Sequence, residues 1–129
     1  MKPLVQKGNE TTPYVNFNNS KGKFEMGGIA IPENVYDVFN PIKEWLNTYS
    51  TIQNESPEFE FYFEYLNTSA TKMVFDIFSI IDQMTTGAST AKIKWYYNRG
   101  DVEMLELGEE MLDEIDCASE IIALDTTVV

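Results

Sequence analysis

The stretch "EFEFYFEYLNTSATKMVFDIF", Glu58 through Phe78, changes period halfway along. In its first part Phe59, Phe61, Phe63 and Tyr65 fall on one side of the chain, and Glu58, Glu60, Tyr62 and Glu64 on the other. That alternation is the signature of a strand with one buried face. From Met73 the apolar residues recur every three or four positions, at Met73, Val74, Ile77, Phe78, Ile81 and Met84, which is the stripe of an amphipathic helix. The period returns to two in "AKIKWYYN", where Ala91, Ile93, Trp95 and Tyr97 share a face opposite Lys92, Lys94, Tyr96 and Asn98. Strand, helix, strand makes a βαβ unit, with the two strands parallel and the crossover right-handed. A parallel sheet covered on both faces would read as continuous apolar runs. The alternation therefore predicts helices on one face only. On the wet face Glu60 and Glu64 are expected near Lys92 and Lys94, in exposed cross-strand pairs worth about 0.2–1 kcal/mol each.

Working outward, the first third reads as short strands near Leu4 ("LVQ"), Tyr14 ("YVNF") and Lys23 ("KFEMG"). "NNSKG", Asn18 to Gly22, is a hairpin turn between the last two. Gly27 and Gly28 are expected to form another turn. A helix follows, with Val35, Phe39, Ile42, Leu46 and Tyr49 at helical spacing and Asn34 as its cap. Pro41 leaves two alternatives: a kink, or a restart in which Asn40 caps and Pro41 takes the first helical position. A third helix is predicted from Asp101 to Ile115, buried through Val102, Leu105, Leu112 and Ile115. Its outer face carries Glu103, Glu106, Glu109, Glu110 and Asp113. "EIIAL", Glu120 to Leu124, supplies the last strand. The expected fold is an α/β two-layer sandwich, a mixed sheet with helices mainly on one face, in the order βββαβαβαβ. At 129 residues the chain is expected to be a single domain, 1–129.

Charge narrows the partners. There are 9 Lys plus Arg against 21 Asp plus Glu, a formal net charge of −12. Nucleic acid and anionic membrane surfaces would both meet a repelling field, so neither is expected as a partner. The chain has no histidine, which removes the usual general base near neutral pH and the commonest metal ligand. Cys117 is its one cysteine, so no internal disulfide forms. No cofactor or metal is expected, and the acids of the third helix read as a solvated face. "MKPLVQKGNE" lacks an apolar core segment and no apolar run approaches a membrane span, so a reducing cytoplasm is the expected location. There the sequons at Asn9, Asn54 and Asn67 stay unglycosylated. "RGD" at Arg99 to Asp101 reads as a turn.

Between the strand and the middle helix stand Asn67, Thr68, Ser69 and Thr71. Asn67 or Thr68 is placed to cap the helix. The residues alone leave open whether the extra hydroxyls only cap or one of them is chemically modified. A phosphate would be accepted there, because the first turn of a helix offers unpaired N–H groups and the positive end of the dipole.

"AIPENVYDVF" (Ala30–Phe39), Trp45, "FEYLNTSATK" (Phe63–Lys72) and "WYYNRGDVEMLELGEE" (Trp95–Glu110) together resemble the SiaC family of bacterial biofilm-regulation phosphoproteins. The resemblance implies a fold like that of STAS, or anti-sigma-factor-antagonist, domains. It implies a protein that is not an enzyme but the substrate of a serine/threonine kinase and a metal-dependent phosphatase. In its unmodified form it would bind and activate a diguanylate cyclase and so raise cyclic di-GMP. The phosphorylated threonine of the family's L-N-T-S motif falls on Thr68, with Ser69 and Thr71 as the neighbouring hydroxyls. Ala70 and Asn98 depart from the family's pattern, neither at the acceptor. Pro32, Glu33, Asn34, Asn67, Ser69 and Lys72 are the expected partner-binding residues. Trp95 and Tyr97 are expected in the core and Tyr96 on the wet face. Two other functions stay open: an anti-sigma-factor antagonist type of partner switch, and a small-ligand-binding sensor.

Overall fold

The computed structural model describes residues 1–52, 55–85 and 90–125, so the sequon at Asn54 lies outside the described residues. The chain forms β1 (Leu4–Gln6), β2 (Tyr14–Asn18), β3 (Lys23–Ala30), α1 (Val35–Ile52), β4 (Glu58–Leu66), α2 (Thr68–Asp82), β5 (Lys92–Asn98), α3 (Val102–Asp113) and β6 (Ala118–Leu124). The order is the expected βββαβαβαβ. The strands lie in one sheet in sequence order, β1 to β6. β1, β2 and β3 pair antiparallel, and β3 to β6 pair parallel. Each helix joins two neighbouring parallel strands. Crossovers of one hand that step in one direction put all their helices on one face.

That face holds the core. Phe59, Phe61, Phe63, Ile93 and Trp95 from the sheet meet Phe39, Ile42 and Leu46 of α1 and Val74, Ile77, Phe78 and Ile81 of α2. Both apolar stripes expected for these helices are buried in full. Trp95 packs against Phe61, Phe63 and Phe78, with the Phe78 ring edge-on at 5.9 Å. α1 is continuous through Pro41, and Asn34 caps it by accepting from the Tyr36 and Asp37 N–H groups at 3.1 and 3.3 Å. Pro41 is exposed and does not restart the helix. "RGD" is a turn: Gly100 has φ +95°, the Asp101 N–H donates to the Asn98 carbonyl at 2.9 Å, and Asp101 caps α3.

Four expectations are corrected. Tyr65 does not continue the buried row of β4 but is 54% exposed. The register against β3 runs Gly28↔Phe63 and then Ile29↔Tyr65, so Glu64 is an extra residue and the alternation flips after it. Gly27 and Gly28 are no turn; they lie inside β3. On the wet face Glu60 does lie opposite Lys94 by register, but the ion pairs are different: Lys94 bonds Glu58 at 2.8 Å and Lys92 bonds Glu120 at 2.6 Å, while Glu60 accepts from the Tyr62 and Tyr96 hydroxyls at 3.4 and 3.2 Å. Long side chains reach diagonally or to the far neighbour, and two phenols fill the space beside Glu60. Finally, α3 is rotated from the expected phase. Its buried residues are Met104, Gly108, Met111 and Leu112, and Val102 is 58% exposed. The cause is Gly108, which the apolar count passes over but which sits directly on the Trp95 indole.

Candidate functional site

The joint between β4 and α2 sits at the carboxyl end of the parallel strands. The Asn67 N–H donates to the Ala30 carbonyl at 3.1 Å, which ties the joint to the end of β3 and so to the Ile31–Asn34 loop. Asn67 has φ −79° and ψ 177°, the extended backbone of a cap residue. Its Oδ1 accepts from the Ala70 N–H at 2.9 Å and from the Ser69 hydroxyl at 3.1 Å. Its carbonyl accepts from both the Thr71 N–H and the Thr71 hydroxyl, each at 2.9 Å. Asn67 is therefore the cap and Thr68 the first helical residue. Asn67→Ala removes the acceptor for two donors, and the expected loss of stability is about 1 kcal/mol, to be read by urea denaturation. Asn67→Asp, which keeps the acceptor, is expected to retain most of it. A loss equal to that of Asn67→Ala would show that the cap does not matter.

The same bonds sort the hydroxyls. Ser69 and Thr71 are each committed to Asn67. Thr68 is exposed, and among the described residues nothing bonds its hydroxyl. It stands at the lip of an open groove of about 390 Å³ between α2 and α3. The floor is Phe75, Leu107 and Met111. Thr71 and Lys72 lie on the α2 side, Glu110 and Glu114 on the α3 side. Beyond Leu107 and Glu110 a second concavity continues along α3 past Tyr65, Glu103 and Glu106. Lys72 is one turn beyond Thr68 and makes no ion pair among the described residues. The structure thus brings Thr68, Thr71 and Lys72 together. Pro32, Glu33 and Asn34 do not line this groove; Pro32 is buried, and Glu33 and Asn34 are exposed in the loop at the end of β3. The α3 contributions escaped the sequence because they depend on that helix's rotation. Cys117 is a poor nucleophile: burial, then the Asp82 carboxylate, pushes its thiol up to about 11.

So open a groove, with an apolar floor and charged walls, does not seclude a reaction from water; it presents a surface, and the class it defines is a recognition module. The model of the family described as SiaC family regulatory phosphoprotein matches residues 6–124, and the chain belongs to that family. An uncharacterized protein of Pseudomonas aeruginosa is 28% identical over 118 residues, 92% of each chain. The crystal structure of apo-SiaC from Pseudomonas aeruginosa superposes with a TM-score of 0.88 at 28% identity, over 95% of this chain and 100% of that one. SiaC in the crystal structure of the diguanylate cyclase SiaD in complex with its activator SiaC, from the same organism, superposes with a TM-score of 0.87 at 26% identity, over 94% and 99%. Among the described residues no helix is long and apolar enough to cross a membrane.

Proposed function

We propose that this chain, as one domain in the cytoplasm, is a phosphorylation-controlled activator of a diguanylate cyclase. Unmodified, it docks on the cyclase and raises cyclic di-GMP output. A serine/threonine kinase phosphorylates Thr68 and ends that docking, and a metal-dependent phosphatase restores it. The observation that carries the site is the division of labour at the joint: Ser69 and Thr71 are tied to Asn67, while Thr68 is exposed and unbonded beside the groove. What carries the partner is the likeness to the SiaC bound to its cyclase. Lys72 borders the groove, Asn67 and Ser69 hold the acceptor's turn, and the Pro32–Asn34 loop is tied to it through Ala30 and Asn67. These residues would shape the partner surface. A small-ligand sensor would need a deep pocket with convergent polar groups, and the groove at Thr68 is open.

Incubation of the whole chain with its kinase and ATP is expected to add one phosphate, read by intact-protein mass spectrometry. Ser69→Ala and Thr71→Ala should accept it as the unaltered chain does, and Thr68→Ala should accept none. Undiminished uptake by Thr68→Ala would overturn the assignment. A pull-down that recovered an anti-sigma factor and no cyclase would move the chain to the other regulatory class.

A further inference from the structure

The uncovered face of the sheet carries a row of tyrosines with a gap in it. By register Tyr14 of β2 lies opposite Gly27 of β3, and Gly27 opposite Tyr62 of β4. Beyond Tyr62 the row continues with Tyr96 of β5, stacked on it at 4.2 Å with 23° between the planes. The gap is required. A Cβ at Gly27 would lie 2.5 Å from the Tyr62 carbonyl oxygen and 2.9 Å from the Tyr14 hydroxyl. Gly28, with φ +90°, would place a Cβ 3.6 Å from the Tyr14 ring, so that ring leans over both glycines. Next to the row a shallow cup of about 420 Å³ opens, walled by Tyr14, Tyr62, Glu64 and the β1–β2 loop at Asn9 and Thr12. The loop is held in place: the Asn9 side-chain oxygen accepts from the Thr11 and Thr12 N–H groups at 2.8 and 2.9 Å, and the Ile31 N–H donates to the Thr11 carbonyl at 2.8 Å.

The cup is electronegative and lacks a cation of its own. No Lys or Arg lines it. The Tyr14 hydroxyl is held above its usual range by burial first, then by Glu25, Glu60 and Glu64. Of these carboxylates Glu25 has Lys23 at 3.0 Å and Glu60 has two tyrosine hydroxyls. Glu64 is the β-bulge residue, and it has no hydrogen-bond or ion-pair partner among the described residues. That leaves an unpartnered carboxylate on the wall of the cup together with Tyr14 and Tyr62.

We propose that this cup receives an arginine side chain presented by a protein partner. A guanidinium is planar and weakly hydrated, so it stacks on a tyrosine ring and offers paired N–H donors to one carboxylate, which a lysine ammonium cannot do. The shallowness of the cup favours a residue carried by a larger surface, because a free small molecule needs most of its own area buried. The cup also opens toward the carboxyl ends of β3 and β4. The net charge of −12 draws basic surfaces toward the chain.

The test is a titration of the isotope-labelled whole chain with acetyl-Gly-Arg-Gly-amide, followed by amide chemical shifts. The expected result is saturable movement of the Gly28 and Glu64 signals, weaker with the lysine peptide and absent with the neutral citrulline peptide. Glu64→Gln is expected to weaken arginine binding about threefold to fivefold, the size of one exposed ion pair. Tyr62→Phe, which keeps the ring, should bind as before, and Tyr62→Leu should not. Citrulline binding equal to arginine, indifference to Glu64→Gln, or no shift at tens of millimolar peptide would each overturn the assignment. Tighter binding of free L-arginine than of the capped peptide would overturn the protein partner in favour of a small molecule. The Thr68→Ala chain should bind the peptide unchanged, so this site and the phosphorylation switch stand or fall separately.

Discussion

Phosphorylation of Thr68 is expected to weaken binding to the cyclase by a hundredfold or more while moving the melting temperature by only a few degrees. The two effects separate because they depend on different surroundings. In the free protein the phosphate sits on the first residue of α2, where the helix dipole contributes roughly 0.3–1 kcal/mol in its favour. Lys72, one turn on, adds a cation that is otherwise unpaired among the described residues. Glu110 and Glu114 across the groove oppose these gains, but all are open to solvent and screened. In the complex the same phosphate, carrying a charge of about −1.5 to −2, stands at the lip of an apolar floor that a partner would cover. Leaving a dianion buried without a matching cation costs several kcal/mol, and each ~1.4 kcal/mol is a tenfold loss of affinity. Calorimetry of the unmodified and phosphorylated chains against the cyclase reads the first number, and thermal unfolding reads the second. Affinities within threefold of each other would remove the switch. A melting temperature lowered by ten degrees or more would mean that the phosphate acts by unfolding the protein.

Gly108→Ala carries the largest expected effect on stability, and its sign runs against helix propensity. Within a helix alanine is favoured over glycine by about 1 kcal/mol. Here the added methyl would lie 2.5 Å from Trp95 Nε1 and 2.9 Å from Cγ. Trp95 has no exposed surface, and Phe61, Phe63 and Phe78 surround its ring. Its indole N–H donates to the Met104 carbonyl at 3.0 Å, one turn before Gly108 on the same helix. Moving α3 outward stretches that bond, and moving the indole drives it into a filled core. Overpacking costs about 1–3 kcal/mol and a stranded buried donor a further ~1–3 kcal/mol. After the propensity gain the net loss is about 1–5 kcal/mol, and its midpoint corresponds to roughly 10 °C in melting temperature for a chain of this length. In the Trp95→Phe background the smaller ring should make the Gly108→Ala change far milder, a non-additivity that a double-mutant cycle measures. A stabilised Gly108→Ala protein would show that α3 does not rest on the indole.

The fold was legible where a residue's partner is the core as a whole. The alternation of Phe59, Phe61 and Phe63 and the stripes of α1 and α2 each follow from one element's own period, and all are buried as expected. What escaped depends on a particular neighbour. The flip at Tyr65 needs the pairing of β4 with β3 across Gly28. The rotation of α3 needs the indole beneath Gly108, a residue that carries no hydrophobic signal. The choice between Asn67 and Thr68 as cap rested on which side-chain oxygen reaches back to the Ala70 N–H. The candidate acceptor came from a motif, "LNTS", whereas the groove beside it came from the phase of α3, so Leu107, Met111 and Glu114 were not in view.

The strands lie in the sheet in the order in which the ribosome makes them. Each new strand therefore finds its neighbour already waiting, and assembly advances from one side to the other without threading back between elements laid down earlier. A chain interrupted during synthesis ends on a raw sheet margin whose position tells how far it had grown. In the folded molecule that margin is β6, the seven residues Ala118–Leu124.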